Sequence, residues 1–149
     1  MGTKKAKAKP KTAPELITDR WIQGKPVTMR SLRGKLALLH FWRAWPYEWS
    51  NDDSAELSWL ARMHKKYGNR GLTVVTVLSP MTDETYVRKT ILENEMDYPI
   101  GVDAVDRQPN TEQRFREIGF TRLLVDRKGT IIGGSRDEIE SQVQKALGK

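Results

Sequence analysis

Two stretches of the chain are apolar at almost every position, KLALLHFW at residues 35–42 and LTVVTVL at residues 72–78. A strand with one wet face alternates apolar and polar side chains, so unbroken runs of this length predict strands covered on both faces, as at the centre of a parallel sheet. Between them Leu57, Leu60, Ala61 and His64 recur at i, i+3, i+4 and i+7, with Asp52 and Asp53 before them and Gly68 and Gly71 behind. That spacing predicts an amphipathic helix over 51–67. Thr82 is the expected cap of a second helix ending near residue 95, with Val87 and Ile91 turned inward. YPIGVD at 98–103 reads as a further strand, and Asn110 with Gln113 offers a capping box to a short third helix. FTRLLVD at 120–126, a DRKG turn and TIIGG at 130–134 predict a hairpin. Ser135 with Glu138 then opens a last helix whose inner stripe is Ile139, Val143 and Leu147.

From residue 35 the predicted order is βαβα(β)αββα. Strands that alternate with helices require a parallel sheet with helices on both faces, and the closing hairpin makes that sheet mixed, so the fold class is α/β. Upstream, RWIQGKPVTMRSLRGK at 20–35 predicts an N-terminal hairpin turning at Gly24-Lys25-Pro26 and a loop ending at Gly34. No internal repeat is present.

At 149 residues the chain suits one domain. Its formal charge of +7 suggests an anionic partner until the charge is located. Five of the 26 basic side chains, and no acid, fall in residues 1–11, which leaves 21 basic against 19 acidic side chains in the remainder. The expected organisation is a disordered lysine-rich tail over residues 1–13 and a folded domain over 14–149. Such a tail either binds nucleic acid or anionic lipid weakly and without sequence preference, or simply solvates the chain. No apolar run is long enough to span a bilayer. MGTKKAKAKPK is basic but has no apolar core behind it, and Ala6 spoils a myristoylation pattern. The location is left open: the expectation is cytoplasmic for the sequence as written, and extracytoplasmic if an export signal has been removed.

Three stretches, in order, carry a resemblance to a known family. PELITDRWIQGKPVTMRSLRGKLALLHFW resembles the opening of the thioredoxin-like superfamily in its TlpA-like and AhpC/TSA-type (redoxin) branch. KYGNRGLTVVTVLS is similar to the end of that family's first long helix and its next strand, and LLVDRKGTII resembles its closing hairpin. The resemblance implies a thioredoxin-like fold with a W-C-x-x-C motif at the first turn of the helix after the first central strand. A thiolate there is stabilised by the helix N-terminus and becomes a nucleophile at neutral pH.

This sequence has no cysteine. The matching stretch reads Trp45-Pro46-Tyr47-Glu48-Trp49, with Pro46 and Trp49 where the two cysteines would stand. The family's cis-proline position holds Phe120 in GFTRLLVD; without proline a cis peptide costs about 2.5–4 kcal/mol, so the usual substrate clamp is expected to be absent. Trp42 and Trp45 read as core aromatics, Pro46 suits a helix start, and Glu48 suits a helix N-terminus. Tyr47, Trp49 and Phe120 are the candidates for a binding surface in the former active-site groove, with filling of that groove as the competing role.

Other chemistry has little to build on. His40 lies in a buried run and His64 on a helix, neither at metal-ligand spacing, and Asp103, Asp106 and Glu112, or Asp52 and Asp53, match no calcium loop. No metal or cofactor is expected. The expected function is a redox-inactive thioredoxin-like domain that binds a protein or peptide partner in the old groove or serves structurally. One alternative is a glutathione-dependent or other thiol-handling enzyme using Tyr47 or Ser50. The other is a deliberately cysteine-replaced oxidoreductase, against which Pro46, Trp49 and Phe120 stand, since deliberate replacement favours Ser or Ala.

Overall fold

In the computed structural model, the described residues are 11–44, 51–116, 118 and 121–148. Six strands form one mixed sheet: β1 Thr18–Gln23, β2 Leu36–Trp42, β3 Leu72–Leu78, β4 Ile100–Asp103, β5 Arg122–Val125 and β6 Ile131–Ile132. Their order across the sheet is β1-β4-β3-β2-β5-β6. Strands β2, β3 and β4 run parallel, while β1, β5 and β6 pair antiparallel with their neighbours. Helices α1 Asn51–Tyr67, α2 Glu84–Glu93, α3 Thr111–Arg116 and α4 Arg136–Leu147 complete the α/β architecture expected from the apolar pattern.

Both long apolar runs are buried on two sides, and the side chains divide by parity. Leu36, Leu38 and Trp42 of β2 join a core with Leu57, Leu60 and Met63 of α1 and Ile139 and Val143 of α4. Ala37 and Leu39 turn the other way, to Phe115 of α3 and to Leu16, Val27, Met29 and Leu32 of the N-terminal segment. Burying a leucine contributes about 1.5–3 kcal/mol, so β2, whose residues 37–39 are fully enclosed, anchors both layers.

Two local expectations are corrected. The N-terminal segment is not a two-stranded hairpin: β1 pairs with β4, and residues 28–34 form turns. Pro26 cannot donate a ladder bond, and Thr28 and Ser31 exchange side-chain-to-backbone hydrogen bonds that close a turn instead. The Glu15 carboxylate reinforces it by accepting the Met29 and Arg30 N–H groups. The cap of α2 is Asp83, whose side chain accepts from the Tyr86 N–H; Thr82 instead accepts from the Ala44 N–H. The boxes expected at Asn110 with Gln113 and at Ser135 with Glu138 both form. Lys11 to Ala13 lie against the closing hairpin, Thr12 bridging Thr130 and the Ala13 N–H donating to the Gly129 carbonyl; the rest of the expected tail lies outside the described residues. No helix among the described residues is long and apolar enough to cross a membrane.

Candidate functional site

The motif residues Trp45, Pro46, Tyr47, Glu48 and Trp49, with Ser50 and Phe120, lie outside the described residues. Their flanks converge at one place, the C-terminal end of β2. On one side the chain leaves β2 through Trp42, Arg43 and Ala44, and α1 begins at Asn51. On the other, the Phe41 N–H donates to the Thr121 carbonyl at 2.9 Å, beside the His40 to Arg122 pairing of β2 and β5.

A third segment closes around this point. The Ser79 N–H donates to the Trp42 carbonyl at 2.9 Å, and the Asp83 N–H to the Ala44 carbonyl at 3.1 Å. The loop after β3 thereby holds the backbone that leaves β2. Between these segments lies a cavity of about 380 Å³ with Phe41, Trp42, Val77 and Leu78 in its wall and Arg43, Met81, Glu112 and Thr121 around it. Ligands of open α/β sheets bind outside the carboxyl ends of the strands, where this cavity sits. Met81 is 64% exposed, and Val105, two residues beyond the end of β4, is 57% exposed. A larger and more polar depression, about 640 Å³, lies between the C-terminal ends of α1 and α2, away from the converging segments.

Under α1 a row of polar side chains crosses the sheet. Arg122, His40 and Thr76 occupy registered positions on β5, β2 and β3. His40 Nδ1 lies 3.1 Å from the Thr76 hydroxyl. Glu56 of α1, buried, meets Arg122 in a two-pronged ion pair with distances of 2.6 and 2.7 Å, and Arg136 of α4 reaches the same carboxylate at 2.6 Å. Burial alone would raise the pKa of Glu56, but the hydrogen bonds from Arg122 and Arg136 and the field of His40 hold it below the ordinary carboxylate value. Burial pushes the neighbouring Tyr98 phenol up, so that it stays neutral in the fold.

The sequence reading of His40 as a core histidine agrees with its 4% exposure, and His64 packs edge-on against the Tyr98 ring. Asp103 is engaged in capping α3, accepting from the Thr111 and Glu112 N–H groups at 2.7 and 2.8 Å. Among the described residues no group of His, Asp and Glu is arranged to hold a metal ion. Sequence reasoning missed Glu56, Arg122 and Arg136. Two of the positions stand out singly, since Glu56 shares the helical stripe of Leu60, Met63 and Tyr67 and Arg122 opens an otherwise apolar strand, but no local pattern joins them to each other or to Arg136.

Comparison with known proteins bears on this frame. No family profile matches the chain. It is 25% identical over 144 residues to thiol-disulfide oxidoreductase ResA of Bacillus thuringiensis subsp. konkukian, a match covering 93% of this chain and 76% of that protein. It is 23% identical over 145 residues to a ResA of Bacillus cereus, covering 91% and 76%. A thioredoxin-family thiol:disulfide interchange protein from Chlorobium tepidum TLS superposes with a TM-score of 0.73 at 22% identity, covering 96% of this chain and 100% of that one. The fold is thioredoxin-like. A thiol:disulfide interchange protein from a Bacteroides species agrees, with a TM-score of 0.70 at 21% identity over 95% of this chain and 91% of its own. The resemblance read from the three sequence stretches therefore stands, and on this thioredoxin-like frame the chain carries no cysteine. Disulfide exchange proceeds by attack of a thiolate, and these 149 residues contain none.

Proposed function

We propose that this thioredoxin-like domain binds a protein or peptide segment in the cavity at the C-terminal ends of β2 and β3, and that it does so without exchanging disulfides. The observation that carries the reading is the pairing of a partly open cavity, walled on one side by apolar side chains, at the redox position of the fold with a sequence that holds no sulfur nucleophile. Phe41, Trp42, Val77 and Leu78 supply an apolar wall, and the exposed thioether of Met81 supplies an adaptable rim. Arg43 and Thr121, both at the cavity, are the described residues that flank in sequence the stretches holding the expected binding residues Tyr47, Trp49 and Phe120.

The test is selection of a phage-displayed peptide library on the immobilised protein, with insulin reduction by dithiothreitol measured alongside. A consensus with an apolar anchor, bound at least tenfold more weakly by Met81→Asp, and insulin reduction no faster than with dithiothreitol alone are the expected results. A consensus indifferent to Met81→Asp removes the cavity from the account, and catalysed reduction removes the claim that exchange is lost.

A further inference from the structure

The end of the sheet opposite the cavity carries a charge pattern that peptide binding does not use. Lys35 stands immediately before β2, with its neighbours fixed by the strand register. The pairing of Leu36 with Leu72 sets Lys35 beside Gly71 and hence next to Arg70. On the other side the Gly34 N–H donates to the Arg127 carbonyl at 2.9 Å, which brings in Arg127 and Lys128 of the β5–β6 turn. Arg33 lies over that turn: a Cβ on Gly129 would meet its Nε at 2.9 Å. Arg70 and Arg127 both reach the last carbonyls of α4, at 3.5 Å from Leu147 and Ala146 respectively, so the helix end draws the two guanidiniums together.

All five side chains are exposed, and among the described residues none forms an ion pair with a carboxylate. The acid within the group, Asp126, is turned onto the backbone, accepting from the Lys128 and Thr130 N–H groups at 2.9 Å. Lys11, where the lysine-rich segment meets the fold, joins the same edge through the hydrogen bond from Ile131 to its carbonyl. The balanced charge of residues 12–149 thus conceals a one-sided distribution.

We infer that this basic end docks on the phosphate backbone of a double-stranded nucleic acid. Guanidiniums present planar, two-pronged donors that match phosphate, and a row of cations without carboxylate partners gains affinity by releasing counterions. A membrane-binding surface would add apolar anchors to the basic residues, and a single-strand binder would add stacking aromatics. The large apolar side chains exposed among the described residues, Met81, Leu92 and Val105, lie instead on α2 or at the opposite end of the sheet.

The experiment is fluorescence anisotropy of a labelled mixed-sequence DNA duplex across a sodium chloride series. It uses the full chain, the Arg33→Gln/Arg127→Gln variant, a Lys89→Gln control on α2 and a chain lacking residues 1–10. Vesicles containing anionic lipid are assayed in parallel by co-sedimentation. Log affinity should fall linearly with log salt, and the double variant should flatten that slope by about 2 and weaken binding at least tenfold at low salt. Lys89→Gln should be silent, and the chain lacking residues 1–10 should still bind and still respond to Arg33→Gln/Arg127→Gln. Any one of three results overturns the inference: a duplex unbound at low salt, a double variant that behaves like Lys89→Gln, or vesicles bound where the duplex is not.

Discussion

Replacing Glu56 by glutamine removes one charge and little volume, which makes it the sharpest probe of the polar row beneath α1. In the native protein its carboxylate holds Arg122 at 2.6 and 2.7 Å and Arg136 at 2.6 Å, and the side chains of the two arginines are 19% and 30% exposed. Removing one member of a buried ion pair costs about 3–5 kcal/mol because the partner is left charged and poorly solvated. Water reaches both guanidiniums in part, and the glutamine carbonyl still accepts one hydrogen bond, so the cost falls below that range, to about 2–3 kcal/mol. With a urea dependence of about 2 kcal/mol per molar, the unfolding midpoint at pH 7 should fall by roughly 1–1.5 M.

The pH dependence fixes the sign independently. Glu56 has a folded pKa below its unfolded value, so its contribution is complete above the ordinary carboxylate range and is lost as pH falls through the lowered folded pKa. Wild type and Glu56→Gln should therefore converge as pH falls below the ordinary carboxylate range and through that lowered folded value. A double-mutant cycle with Arg122→Met should return a coupling above about 1 kcal/mol. A midpoint unchanged at pH 7, or a gap of constant size down to acid pH, would refute the assignment of this carboxylate as the tie between α1, β5 and α4.

Other parts of the fold give expectations of the same kind. Ser135→Ala removes the side-chain half of the capping box of α4 and should cost about 1 kcal/mol in urea unfolding, with Ser135→Asp restoring most of it. Gly101→Ala should destabilise by about 1–3 kcal/mol, because a Cβ there would meet the Trp21 ring at 2.9 Å; thermal unfolding of Gly101→Ala with and without Trp21→Ala checks that the clash is the cause. Tyr98, buried and raised above its ordinary pKa, should not ionise in the folded protein as pH passes 10; absorbance at alkaline pH should show its ionisation appearing together with unfolding.

The parallel core was legible because burial on two faces leaves an unbroken apolar run, and β2 and β3 occupy the predicted stretches almost to the residue. The closing hairpin and both capping boxes were legible because their chemistry is local: DRKG and the Ser135 to Glu138 spacing depend on neighbours alone. The N-terminal segment was not, since β1 finds its partner β4 roughly eighty residues away and GKPV reads the same whether the chain reverses or departs. The Glu56 cluster was hidden for a related reason. Glu56, Arg122 and Arg136 are charged types usually found outside, and only tertiary packing gathers the two half-buried arginines around one buried carboxylate. Trp42 was readable as a core aromatic just ahead of the Trp45 to Trp49 stretch, whereas Arg43, Met81 and Thr121 reach the cavity from loops whose positions no local pattern specifies.

The most direct test of the account is an amide chemical-shift titration of the labelled protein with a peptide taken from the library selection. Perturbations should concentrate at residues 41–44, 79–82 and 121, around the cavity at the ends of β2 and β3. Shifts confined to the depression between α1 and α2, or to the basic end around Lys35 and Arg127, would place recognition elsewhere and contradict the claim that the old redox groove has become a binding site.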